Sequence, residues 1–240
     1  MQRRQFNKAL AAAGALSAAS SVFPGIVRAQ SQRLRVGVIL PRSGYLGFIG
    51  QSCQKGADLA PGVIKEMLGV DIELMNADFE SNVDTARTRA ERLIQEGANV
   101  LVGPFDSGAA AAIAQVAEQR GVPFVINIAA APQITEQGYK YVFRNFQTAP
   151  DIVRNGLALI GDLFQATNTI PRTAVFMHVN DTFGQAMAKG IGAFMPRLTQ
   201  LPFKIVDTIS YDPAAKDLTV EVSKAKASNA DFLLLVCRLN

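Results

Sequence analysis

The chain has 240 residues, 49% of them hydrophobic, with 24 lysines and arginines against 20 acidic residues, two cysteines and one histidine. This length and apolar share suffice for one large core or two modest ones, and they exclude a low-complexity or disordered chain. The net charge of +4 invites a nucleic-acid or membrane partner, but the position of the basic residues removes that reading.

The chain opens MQRRQFNKALAAAGALSAASSVFPGIVRA, with a basic start, an apolar stretch of small residues and a small-x-small site at Val27-Arg28-Ala29. The run is shorter than the ~20 apolar residues of a membrane span. Adjacent Arg3 and Arg4, followed by Phe6 and Lys8, give it the pattern of a twin-arginine-like export signal over residues 1–29. Arg3, Arg4, Lys8 and Arg28 are the whole basic surplus, so the remaining chain balances its charges and offers no surplus for phosphate. A nucleic-acid partner is not expected.

From residue 34 short apolar runs alternate with longer helical patterns. Strands are predicted over 34–40, 70–78, 99–103 and 122–128, with helices over 48–67, 82–96 and 107–120 between them. The strand runs are continuously apolar, as in a parallel sheet covered on both faces. In the second helix Val83, Ala86, Ala90, Leu93, Ile94 and Gly97 line one face, and Gly97 supplies a left-handed cap. The segment 144–149 reads as a crossover, after which the pattern restarts. Helices are predicted over 150–166, 183–198 and 217–227, and strands over 173–179, 203–211 and 231–237. Two α/β domains with parallel sheets follow, at 33–146 and 147–240. The final apolar strand FLLLV argues for a strand covered on both faces rather than an edge, so the second domain is expected to be incomplete.

The stretch LRVGVILPRSGYLGFIGQ raises a nucleotide loop as one candidate. Gly44, Gly47 and Gly50 miss the G-x-G-x-x-G spacing, and the next strand-end acid, Asp78, lies well beyond the ~20 positions expected of a ribose ligand. His178 ends a strand with no catalytic partner in view, and FDSGA is not a nucleophile elbow. No Cys/His spacing suits a metal. Cys53 and Cys237 fall in different domains and are expected to be free, buried thiols. No cofactor, metal or catalytic residue is therefore expected, and an exported enzyme is the weakest reading.

Small and polar residues instead gather at the strand ends, where a doubly wound sheet holds ligands: Ser43-Gly44, PFDSG (104–108), AAAP (129–132) and NDTFG (180–184). Together with DTARTRAERLI, LVGPFDSGAAAAIA, GVPFVINIAAAPQIT, GYKYVFRNFQTAPD and YDPAAKDLTVEVSKAKASNADFLLL, these segments resemble the type I periplasmic binding proteins of the branched-chain amino acid (Leu/Ile/Val) class. The resemblance runs from 34 to 240. It implies two Rossmann-like domains that close on a small carboxylate or amino acid in the periplasm. It also implies a monomer that docks on the membrane permease of an ABC importer. A ligand-sensing module of the same fold is the alternative.

Carried over by position, the resemblance places Ser107 on a ligand carboxylate, with Phe105 and Asp106 as lining. Ala129 and Ala130 would offer backbone groups without a hydroxyl, Phe183 would stack on the ligand, and Phe48 and Ile49 would lean toward its apolar end. Arg238, at the end of the last strand, would meet an anionic group.

Overall fold

The computed structural model describes residues 33–198 and 201–238, so the export signal expected over 1–29 lies outside the described residues. Strand β1 (Leu34–Leu40) runs parallel to β2 (Ile72–Asp78), with Leu40 opposite Asp78. On its other side β1 pairs with β3 (Val100–Val102), followed by β4 (Phe124–Ile126) and β5 (Val142–Arg144), giving the parallel order β2-β1-β3-β4-β5. A second parallel sheet has the order β7-β6-β8, built from β6 (Thr173–Val179), β7 (Lys204–Tyr211) and β8 (Phe232–Val236). The architecture is α/β, and from Leu34 onward the chain forms one compact unit.

The helices begin and end where side chains or glycines satisfy their exposed backbone groups. Helix α1 (Gly47–Leu68) stops at Gly69, whose φ of 68° lets its N–H reach the Lys65 carbonyl. Helix α2 (Val83–Gln95) starts at Asn82, which accepts from the Thr85 amide, and is followed by left-handed Gly97. It buries Ala86, Ala90 and Leu93 as its periodicity predicts, while Val83 in the first turn is exposed. Helix α3 (Ser107–Arg120) buries most of its length, including Ala110, Ile113, Ala114 and Ala117. Helix α4 (Ala149–Ala166) starts with the Asp151 carboxylate accepting from the Thr148 amide and hydroxyl. Helix α5 (Thr182–Phe194) packs against α4, where Gly190 lets Val153 come close. Helix α6 (Thr219–Ala227) follows β7.

Phe79, Leu101, Ile113, Phe124 and Ile126 are fully buried around the first sheet. Burial of each such side chain contributes about 1.5–3 kcal/mol, so this cluster is the main source of cohesion for the sheet and its helices.

Strand β8 is an edge of the second sheet among the described residues: Phe232 and Leu234 are partly buried, whereas Leu233 and Leu235 are each 44% exposed. Alternate side chains of a strand face opposite ways, so one face of this apolar run is without cover among the described residues. One expectation is corrected: both cysteines are free, but Cys53 is only half-buried and Cys237, just past β8, is exposed.

The glycine loop after β1 is a packing device. A Cβ on Gly50 would overlap the Pro41 carbonyl oxygen, so glycine lets the first turn of α1 lie against the end of β1. Asp78 turns back onto this loop, accepting from the Arg42 amide at 2.8 Å and the Ser43 hydroxyl at 2.8 Å. Ser81, itself left-handed at φ 57°, donates to the Ser43 carbonyl and accepts from the Leu46 amide. The acid that a nucleotide reading would assign to a ribose is thus spent on holding the loop.

Candidate functional site

The ends of β1, β3, β4 and β6 and the residues after β8 converge on a cavity of about 380 Å³. Ile49, Phe105, Ala130, Phe183 and Arg238, all singled out in the sequence, line it. Four further residues complete the lining: Ile128, Phe146, Ile152 and Cys237. Apart from Arg238 the wall is largely apolar and rich in aromatics, so it suits a hydrophobic body held at one polar point.

That point is built from three charges brought from distant parts of the chain. Asp106 caps α3 by accepting from the Ala109 amide at 2.7 Å. Asp181 caps α5 by accepting from the Gly184 amide at 2.8 Å. The guanidinium of Arg238 joins the two caps, with Nε donating to Asp181 Oδ2 at 2.7 Å and Nη2 donating to Asp106 Oδ2 at 3.1 Å. It also lies 5.1 Å from the Phe183 ring centroid and 6.0 Å from that of Phe105, within reach of both ring faces. The Arg238 side chain is only 8% exposed. Burial pushes the Asp106 carboxyl above the ordinary carboxylate range; the Ala109 amide and Arg238 pull it back, and Asp181 pushes it up again. Burial likewise raises the Tyr45 hydroxyl, with the nearby charge of Asp106 adding to the effect.

The other sequence candidates fall around this cavity in different ways. Ser107 is fully buried in the first turn of α3, and its Oγ accepts from the Ala131 amide at 3.3 Å. The helix cap is Asp106 rather than Ser107. Ala129 is also fully buried behind the wall, while Ala130 reaches the lining. Phe48 is 67% exposed and lies outside the lining, because the next residue along a helix points about a quarter-turn away and Ile49 takes the inward position. His178 is buried, stacked on Phe176, with Nδ1 beside the Val179 carbonyl.

Arg144, which the sequence reading passed over as crossover, shapes the loop at Ala129 to Ala131. Its Nη1 donates to the Ala129 carbonyl, and its Nη2 donates to the Ala131 carbonyl at 2.7 Å and to Thr135 Oγ1 at 3.1 Å. Burial lowers its pKa from the ordinary arginine value, with Glu136 acting in the opposite sense. One guanidinium fork thus holds the loop's carbonyls back from the cavity.

Comparison with known proteins places this geometry in context. The sequence pattern of the family described as periplasmic binding protein matches residues 33–237. A Leu/Ile/Val-binding protein homolog of Brucella melitensis is 24% identical over 87% of this chain and 55% of its own length. An amino acid binding protein of Pseudomonas aeruginosa is 28% identical over 97% of this chain and 60% of its own. The chain thus spans little more than half the length of these relatives. A solved solute-binding protein of an ABC transporter from R. palustris, in complex with benzoate, superposes with a TM-score of 0.72 at 26% identity, covering 85% of this chain and 55% of that one. A leucine binding protein from Thermotoga maritima shares the fold with a TM-score of 0.72 at 24% identity over 84% of this chain and 55% of its own.

Proposed function

Because the chain belongs to the periplasmic binding protein family, we propose that its Arg238 cavity binds a small carboxylate with an apolar body and delivers it to the permease of an ABC importer. The observation that carries this reading is the buried guanidinium set between two aromatic rings and two helix caps at the one charged point of an apolar wall. Guanidinium groups match the paired oxygens of a carboxylate, and the rings accommodate a flat or branched body. In this account a ligand carboxylate takes the place of Asp106 on Nη2. Asp106, whose pKa burial raises and Arg238 lowers, loses that guanidinium partner and takes up a proton. Ser107 and Arg144 act behind the wall by fixing the loop at Ala129 to Ala131.

The R. palustris relative binds benzoate and a further relative is an amino acid binding protein, so two ligand classes are supported by likeness. The protonation of Asp106 separates them. If both aspartates beside Arg238 stay ionised, the excess of negative charge suits an ammonium group and hence an amino acid; with Asp106 protonated the charges balance and suit an acid without one. The apolar lining, with Phe105, Phe146 and Phe183, suits an aromatic acid without one. Calorimetric titration with benzoate and with isoleucine tests the reading: binding of either, lost in Arg238→Met, supports it. Binding that survives this substitution in a folded variant refutes it. The account further takes residues 1–29 as the export signal, the domain boundary near residue 146, and the receptor as a monomer in the periplasm.

A further inference from the structure

We propose a second ligand site, for a small oxyanion such as phosphate, in a cavity of about 240 Å³ between the end of β2 and α2. It shares no lining residue with the Arg238 cavity and is independent of the function assigned there. Three arginines, Arg42, Arg89 and Arg92, line it beside Asn76 and Asp78.

The groups differ in how far the protein itself uses them. Arg89 donates from Nε to the Asp78 carbonyl at 2.9 Å and pairs through Nη2 with Glu80 at 3.2 Å. Arg92 pairs through Nε with Glu96 at 2.7 Å, leaving its remaining N–H groups uncommitted. Arg42 is the exception. Its Nε is buried with no acceptor, and its guanidinium makes no ion pair with any described residue. A guanidinium stays charged in a protein, so it cannot lose its proton to avoid the cost of burial, and an unpaired N–H away from solvent calls for an acceptor.

Asp78 is the main opposing charge, but it is occupied. Its oxygens accept from the Arg42 amide, the Glu80 amide and the Ser43 hydroxyl. Glu80 and Glu96 are each drawn to one arginine of the set, which leaves Arg42 without an ion-pair partner among the described residues. An oxyanion seated against Arg42 supplies the missing acceptor and takes further N–H groups from Arg89 and Arg92. N–H donors from several arginines lining one cavity favour a group with several oxygens over a halide. Because Arg42 also begins the loop held by Asp78 and Ser81, occupancy steadies the loop that leads to Ile49.

The test is calorimetric titration of the whole chain with inorganic phosphate, paired with thermal melts in phosphate and in chloride at matched ionic strength. The expected result is saturable phosphate binding and a higher melting temperature in phosphate. Loss of a charge-assisted hydrogen bond weakens binding by about tenfold or more, expected for Arg42→Gln, with a smaller loss for Arg92→Gln. Benzoate or isoleucine binding at Arg238 is expected to persist in both variants. Absence of phosphate binding to the unaltered chain, or melting temperatures equal in phosphate and chloride, overturns the proposal. So does phosphate affinity within about twofold of the unaltered chain in folded Arg42→Gln. Should Arg42→Gln fail to fold, the exposed Arg92→Gln decides: unchanged affinity there counts against the site.

Discussion

Arg238 donates to Asp106 across 132 positions of sequence, and the same guanidinium holds Asp181, so one side chain ties together the caps of two helices. Removing one partner from a buried ion pair leaves the others uncompensated, at a cost of about 3–5 kcal/mol. Arg238→Met is therefore expected to lower stability by that order, read from the denaturant midpoint. A loss of well under about 1 kcal/mol, the range of an exposed pair, would mean that the triad is far more hydrated than its burial indicates.

Arg144→Ala is expected to free the loop at Ala129 to Ala131. The Ala131 carbonyl keeps the Ile134 amide, but a buried carbonyl left without its donor, as at Ala129, costs about 1–3 kcal/mol. Hydrogen exchange of the amides at Ala130 and Ala131 is expected to quicken with it, while amides in α6 stay unchanged. Arg144→Lys restores only part of the protection, since one ammonium cannot reproduce the fork.

Glycine substitutions separate packing from permissiveness within α1. Gly50→Ala forces a Cβ onto the Pro41 carbonyl, and overpacking of this kind costs about 1–3 kcal/mol. At Gly56 a Cβ meets nothing within 4 Å, so Gly56→Ala is expected to stabilise the helix by about 0.5–1 kcal/mol. Thermal melts of the two variants should move in opposite directions.

Asp78 gives the acid limb of stability a definite sign. Burial pushes its carboxyl up, but hydrogen bonds from the Glu80 amide, the Ser43 hydroxyl and the Arg42 amide outweigh this and hold it below the ordinary value of 3.8. A carboxyl lowered in the folded state stabilises the fold above its unfolded pKa, and the stabilisation disappears as pH falls through the folded value. Asp78→Asn is accordingly expected to lose less stability than the unaltered chain on acidification below about pH 4, as followed by denaturant titration.

Much of this was legible from residue 34 onward because parallel strands and amphipathic helices leave strong local periodicities. Ala86, Ala90 and Leu93 could be assigned to a buried face from spacing alone. β5 was not, since its three residues, with Phe143 exposed and exposed Tyr141 just before, carry no apolar run and depend on pairing with β4. Phe105, Phe183, Ile49 and Arg238, grouped from the sequence, line one cavity, but the pairing of Arg238 with Asp106 and Asp181 was not foreseen. Contacts over 57 and 132 positions leave no trace in local pattern. Arg144 escaped notice because its acceptors are backbone carbonyls, which every residue carries.

The most direct test of the central claim is calorimetric titration of the chain with benzoate and isoleucine near neutral pH, in two buffers of different ionisation enthalpy, with Arg238→Met and Asp106→Asn alongside. The account predicts that a carboxylate binds, that binding takes up a proton, that Asp106→Asn abolishes the uptake while retaining affinity, and that Arg238→Met abolishes binding. Undiminished binding by folded Arg238→Met would contradict it.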